Sequence, residues 1–559
     1  MKMIGAEITI KLLENCGVNT IIGMPGGANL PLYNALYKSN INHILARHEQ
    51  GAAFIAQGIS RVTGKAAVCF ATSGPGATNL ITALADAKLD SIPLVAITGQ
   101  VPYNLIGTDA FQEVDTYGLS IPVTKHNFLI RSIEELFEVI PLAFEIAETG
   151  RPGPVLVDIP KNIQNELFEF QEFPKNHLDK KKEEYYFPSD TIKEAADLID
   201  KATRPVLYMG GGIIHSDAHK EVLEFVRKGS IPTASTLMGL GVIPTNEPLY
   251  LGMLGMHGAR YTNLVLHESD LVLAFGVRFD DRAVGNITKF CPNAKIIHID
   301  IDQSEINKIR KADVSIIGNL KDVLPELTKA ITKKTREDWL EQVEEIKKRH
   351  PFVLPKEKEH LHPLNIIQYI GKILHEDAII TTDVGQHQMW AAQVFPFKKP
   401  RTFLTSGGLG TMGFGLPAAI GAALAKQDNQ VICFSGDGSI LINIQELATL
   451  ADLNLNVKIF ILNNGHLGLV RQQQQMFFEE NYMAAKFATN PDYALIAKGF
   501  GINSCNLSKE EDPIKALEKV INSSGPWLVD IPIKSDENVL PIVPVGKGNT
   551  EMVGGEADE

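Results

Sequence analysis

The chain has 559 residues, of which 44% are hydrophobic and 21% charged, with a formal net charge of −13. That length implies two to four domains with room for several cores, and the hydrophobic balance is that of a soluble globular protein. The acidic surplus lacks the basic footprint of a nucleic-acid binder, and no apolar stretch reaches the ~20 residues of a membrane-spanning helix.

In chain order, MKMIGAEITIKLLENCGV reads as an amphipathic helix broken by polar residues, not as a signal peptide. Cys16, Cys69, Cys291, Cys433 and Cys505 are scattered, odd in number and free of CxxC spacing, which predicts reduced core thiols and a cytoplasmic location. A first block, 1–165, alternates strand and helix patterns and closes with RPGPVLVDIP. The charged, aromatic stretch 166–187 has no clean periodicity and reads as a linker, with Lys180 to Lys182 as a solvated face. A second α/β block spans 189–335, followed by a charged helix, KKTREDWLEQVEEIKKRH, and a connection containing His360 and His362. That HxH pair lacks further donors and reads as polar linker. A third block spans 361–545, and its PWLVDIPI echoes the GPVLVDIP of the first, which hints at related outer domains. The final 546–559 reads as a flexible acidic tail. The expected architecture is α/β, with three consecutive doubly wound parallel-sheet domains.

Within the third block, VICFSGDGSILINIQELATLADLNLNVKIFILNNGHLGLV reads as one βαβ unit. Asp437 and Asn464 then leave the carboxyl ends of two parallel strands, where open sheets place ligands. Gly436, Gly438 and Ser439 let backbone amides approach a phosphate at a helix start. One carboxylate and one amide oxygen suit Mg2+, which completes its octahedron with phosphate oxygens and water. Upstream, Val384, Gly385, Gln386 and His387 follow another apolar strand and offer amides to phosphate, while Gly407, Gly408 and Gly410 permit backbone conformations closed to other residues. In the first block, Glu49 opens a small-residue helix beginning with Ala52, Ala53, Ile55 and Ala56. A carboxyl there is poorly solvated and placed to exchange a proton with a ring nitrogen.

GDG followed by NN after some two dozen residues resembles the thiamine diphosphate (ThDP) signature. It implies that Asp437, the Asn464 side chain and the His466 backbone carbonyl hold Mg2+, with Leu467 and Gly468 beside them. Glu49 would face the aminopyrimidine, the Gly410 carbonyl would accept from its amino group, and Met412 would press between the two rings. IIGMPGGANLPLYNAL, SGPGATNL, TGQVP, GTDAFQEVDT, LGMLGMHG and GVRFDDRAVGN resemble acetohydroxyacid synthase, also called acetolactate synthase, over nearly the whole chain. Its large catalytic subunit of the bacterial isozyme I type is the nearest pattern.

The resemblance implies that Gly27, Phe111, Gln112 and Lys125 line the active site beside Glu49. It also implies FAD in the middle block, held by Gly210, Gly211, Gly212, Thr236, Leu237, Met238, Met253, Leu254, Gly255, Met256, His257, Gly276, Arg278, Asp280, Arg282, Asp300 and Ile301. Arg282, with Asp281 beside it, would meet the second substrate's carboxylate, a bidentate task suited to a guanidinium. Met256, Leu469 and Gln473 would complete the substrate wall. Where the family usually carries GMVRQWQ, this chain reads GLVRQQQ, so a flexible amide at Gln473 replaces an indole and predicts weak preference between acceptors. The implied substrates are pyruvate and 2-oxobutyrate, and the segment 466–484 is a candidate lid. The implied partners are a second copy sharing the active site and a small regulatory subunit. Two other readings share these motifs: a ThDP- and FAD-dependent pyruvate oxidase, and a catalytically inactive cofactor-binding paralogue.

Overall fold

The computed structural model describes residues 1–174, 187–356 and 359–555. Three six-stranded sheets, every strand pair in them parallel, follow one another along the chain. The strands are short apolar runs buried on both faces, such as Ala67–Ala71, Leu271–Phe275 and Val431–Gly436, as expected where helices cover both sides.

The first sheet has the spatial order Asn42–Leu45, Thr20–Gly23, Ala67–Ala71, Leu94–Gln100, Pro154–Pro160, His126–Leu129. The third has the order Phe403–Leu404, Ile379–Thr382, Val431–Gly436, Val457–Asn463, Trp527–Pro532, Asn503–Asn506. Numbered within each sheet, both run 2-1-3-4-6-5, so the two outer domains share one topology. The middle sheet runs Tyr250–Met253, Thr233–Ser235, Pro205–Met209, Leu271–Phe275, Lys295–Asp300, Val314–Ile317. That is 3-2-1-4-5-6, the order of dinucleotide-binding folds, in which ligands sit where the strand order reverses.

The outer domains share a core. The helices Glu49–Thr63 and Gly415–Ala425 meet through glycines: a Cβ on Gly421 would fall 1.9 Å from the Ile55 carbonyl oxygen, and one on Gly58 would fall 2.3 Å from that of Ala418. Phe54 and Phe414 meet edge to face beside this crossing, with centroids 5.4 Å apart.

Two connections differ from expectation. Leu167–Glu169, inside the expected linker, forms an antiparallel strand with Lys2–Ile4. Phe168, Phe170 and Phe173 gather on Phe137, so these aromatics close the first core rather than face solvent. Lys180 to Lys182 lie outside the described residues. The expected flexible tail is, over 546–555, a strap on the middle domain. Asn549 and Met552 are buried, Asn549 Nδ2 donates to the Ala283 carbonyl at 2.8 Å, and the Asn286 amide donates to the Lys547 carbonyl. Residues 556–559 lie outside the described residues. In the second connection His362 caps the helix Pro363–Ile373 and faces Glu537 at 3.0 Å, while His360 is exposed. The helix of the βαβ unit in the third block begins at Glu446, after a turn. Among the described residues no helix is long and apolar enough to cross a membrane.

Candidate active site

In the third sheet the order reverses between Ile379–Thr382 and Val431–Gly436, and the residues that follow these strands converge there. Asp437 is buried, and its Oδ2 has no hydrogen-bond partner. Burial pushes its carboxyl up to about 6, while the amides of Gly465, Gly438 and His466 pull the other way. A buried carboxylate oxygen without a partner is costly unless a cation meets it. Asn464 stands at the end of the neighbouring strand, its Oδ1 accepting from the His466 amide at 3.0 Å and its Nδ2 donating to Gln386 Oε1 at 3.1 Å. With one carboxylate, one amide and the carbonyl of His466, this set fits an ion that completes its shell with phosphate and water. A Cβ on Gly468 would fall 2.1 Å from Gln386 Oε1, so a side chain at the start of the helix Gly468–Phe477 would displace the Gln386 amide from Asn464. Ser439 is buried, its hydroxyl accepting from the Gly436 amide at 3.2 Å.

Val384 and Gly385 lead into the helix Gln386–Val394. His387 lies buried in it, and burial holds its imidazole down to about 3, so the ring is neutral. Gly410 and Gly413 take φ of +71° and +90°, and Met412 stands between them.

Glu49 opens its helix half-buried, with Oε2 accepting from Asn79 Nδ2 at 2.9 Å and Oε1 facing Gly76. Among the described residues no hydrogen bond joins it to Asp437 or Asn464. The structure brings Gln112, at φ +58°, against Gly74. Phe111 is 89% exposed and Gly27 is exposed with open space around it. The Lys125 ammonium donates to the carbonyls of Ile146 and Thr149, at the end of the helix Glu135–Glu148, which favours a cation there.

A cavity of about 1540 Å³ runs from the reversal point of the middle sheet to the third domain. Gly210 and Gly212 lie so close to Gly276 that a Cβ on either would strike it. The cavity takes in Gly211, Thr236, Leu237, Met238, Met253, Leu254, Met256, His257, Arg278, Asp280 and Ile301. Gly255 does not line it; its amide donates to Asn263 Oδ1, which shapes the turn behind. Asp300, at a strand end, is buried and pushed up to about 6 by that burial. Arg282 extends into the same space, its Nη1 3.5 Å from Met256 Sδ and its Nε 3.7 Å from Asp281. Leu469 and Gln473 form the opposite wall with Gly410.

Sequence reasoning passed over three lining residues. Gln472 is buried and bound to Gln386 and to both backbone atoms of Val539; its place in RQQQ, one position from Gln473, was the signal. Gln388 Nε2 holds Thr405 Oγ1 at 2.7 Å. Arg151, in RPGPVLVDIP, reaches the middle domain to pair with Asp302 and Glu305, and no local pattern marks such a partner.

Three family models match in the same chain order. These are the thiamine pyrophosphate enzyme N-terminal TPP binding domain over residues 3–119, the central domain over 192–327 and the C-terminal TPP binding domain over 383–531. The chain is 53% identical over 551 residues to the acetolactate synthase isozyme 1 large subunit of Escherichia coli, covering 98% of this chain and 97% of that protein. The chain belongs to the acetolactate synthase family. Its likeness to the isozyme 2 large subunit of the same organism is 46%, covering 99% of each chain. The probable acetolactate synthase large subunit of Methanocaldococcus jannaschii is also 46% identical, over 99% of this chain and 95% of that protein. The acetolactate synthases are ThDP-dependent enzymes, and the Asp437 centre lies in the part of the chain that matches the C-terminal TPP binding domain.

Proposed function

We propose that this chain joins two molecules of pyruvate into 2-acetolactate with loss of carbon dioxide, and accepts 2-oxobutyrate in place of the second pyruvate to give 2-aceto-2-hydroxybutyrate. The observation that carries this reading is the partnerless, buried carboxylate oxygen of Asp437 at the sheet's reversal point, in a chain of this family. Asp437, Asn464 and the His466 carbonyl would hold Mg2+, and the amides of Gly436 to Ser439 and Val384 to His387, with Leu467 and Gly468 beside them, would receive the diphosphate. ThDP, when bound, supplies the electron sink that lets a 2-oxo acid lose its carboxylate and lets the remaining two-carbon unit attack a second carbonyl.

The chain's own residues do the rest. Glu49 moves a proton at a pyrimidine ring nitrogen, and Gly410 and Met412 set the cofactor's shape. Arg282 orients the acceptor through its carboxylate, with Asp281, Met256, Leu469 and Gln473 around it. The segment 466–484 excludes water, which would otherwise protonate the two-carbon unit to acetaldehyde. The strand order and volume of the middle cavity fit FAD. The reaction transfers no net electrons, so the flavin would be structural.

Tyr103, Leu105, Phe111, Tyr117, Leu119 and Ile121, all within one short stretch of Glu49's own domain, are exposed apolar side chains. We assign them to contact with a second copy of the chain, which would complete the site with its own cofactor centre, Gly27, Phe111 and Gln112 facing it. A small regulatory subunit and a cytoplasmic location belong to the same reading. Product analysis with pyruvate, ThDP, Mg2+ and FAD tests it: acetolactate from the parent supports it, while acetate with flavin reduction assigns an oxidase.

A further inference from the structure

Two acids and an arginine, all buried, sit where the first and third domains meet. The side chains of Asp86 and Asp90 are 0% exposed and that of Arg61 is 5% exposed. Arg61 Nη2 lies 3.1 Å from Asp86 Oδ2 and 2.9 Å from Asp90 Oδ2, and its Nη1 donates to the Thr405 carbonyl at 3.0 Å. One guanidinium cannot satisfy two buried carboxylates, and the remaining acceptor oxygens need donors. The loop after Leu404 provides them. Asp90 accepts from the amides of Gly407 at 3.0 Å and Gly408 at 2.7 Å. Asp86 Oδ1 accepts from the Ser406 hydroxyl and, at 3.3 Å, from Thr411 Oγ1. Ser406 Oγ in turn accepts from the Thr411 amide at 2.7 Å.

Glycine matters most at 408. A Cβ there would fall 2.8 Å from that of Leu89, so bare backbone brings this amide to Asp90, whereas one on Gly407 would meet Met238 Sδ, on a side chain that can turn away. At its far end the loop is tied again, by the Gly413 amide donating to Asp383 Oδ1 at 2.7 Å. Gly410, Thr411 and Met412 are the span between these two anchors.

We propose that Asp86, Asp90 and Ser406 are positioning residues: a buried acid pair of the first domain that holds the Gly410–Met412 loop of the third domain in its cofactor-binding shape. The inference rests on the reading that this loop faces ThDP. A loop held at one end only would have to be ordered by the cofactor, and that ordering cost would appear as weaker binding.

The test is titration of the apo protein with ThDP at fixed Mg2+, followed by quenching of tryptophan fluorescence, for the parent, Ser406→Ala, Asp90→Asn and Asp437→Ala. Ser406→Ala removes the hydroxyl that joins Asp86 to the Thr411 amide but leaves the Arg61 pairs and the Thr411 hydroxyl on Asp86, so it should fold, with a melting temperature modestly below that of the parent. Its half-saturating ThDP concentration should rise about tenfold, within the range typical of residues that orient ligand-holding groups; Asp90→Asn should raise it further. Should Asp90→Asn not fold, Ser406→Ala decides alone. Parent-like ThDP binding by folded Ser406→Ala, with binding lost in Asp437→Ala, would overturn the positioning role and leave the proposed function standing. A parent that does not bind ThDP would overturn both.

Discussion

Glu49 and Gln473 show how much chemistry rests on single side chains here. Glu49 gives one carboxylate oxygen to Asn79 and turns the other toward Gly76, where no side chain intervenes. Glu49→Gln keeps the shape and an acceptor oxygen but removes the transferable proton. Its kcat should fall by about 10²–10⁴-fold, the usual worth of a positioned acid or base, while ThDP titrates as in the parent. Unchanged kcat would remove Glu49 from the mechanism. Gln473 is exposed on the cavity wall with Leu469 and Arg282, and its amide has no rigid apolar face for an extra methyl group. With pyruvate and 2-oxobutyrate in competition, the parent should give a near-even product mixture. Gln473→Trp should shift the ratio about tenfold toward 2-aceto-2-hydroxybutyrate, since one methylene is worth roughly 1–3 kcal/mol. A parent already strongly biased would defeat the argument.

At the scale of elements, the crossing of Glu49–Thr63 with Gly415–Ala425 is the tightest constraint. Gly421→Ala would drive a methyl into the Ile55 carbonyl oxygen, so the helices must separate and carry the Glu49 end with them. Overpacking of this kind costs about 1–3 kcal/mol, and calorimetry should show a lower melting temperature together with reduced turnover. The small-residue character of both helices was visible in sequence because it is a local property. The same is true of the buried strands, the GDG and NN turns and the glycines of the 407–410 loop. What could not be read were contacts made by chain far away: Phe168 and Phe170 closing on Phe137, Asn549 fastening Ala283, and Lys125 capping a helix end 21 residues on. A polar, glycine-rich terminus and a charged linker look alike whether or not a groove awaits them. Gln473 stood out against a family pattern, whereas its neighbour Gln472 acquires meaning only from the buried partners that folding brings to it.

Over the whole molecule, two neutral imidazoles stand where the middle domain meets its neighbours, and both contribute to how the protein meets acid. His257 is buried, with Gln393 Nε2 of the third domain donating to its carbonyl at 2.9 Å. Burial and then the Arg282 guanidinium hold its imidazole down to about 4, against a hydrogen bond to the Pro541 carbonyl. His215 is held down to about 4 by burial and by the cations Arg401 and Arg61, which come from the other two domains, with the Asp90 backbone pulling the other way. The same Arg401 donates to the Ile214 carbonyl at 2.9 Å and meets Asp217 at 3.2 Å, so one guanidinium fastens this seam. In the unfolded chain both imidazoles titrate near 6.5. Between that value and about 4 the unfolded state takes up protons that the folded state refuses, so stability is present above pH 6.5 and is lost as pH falls toward 4. For buried His257 the full loss is about 3 kcal/mol. His257→Gln and His215→Gln keep a donor toward the same carbonyls but cannot take a proton. On cooling-corrected calorimetric scans, each variant should lose less melting temperature than the parent between pH 7.5 and pH 5. Equal losses would place the acid sensitivity elsewhere, away from the seams of the middle domain.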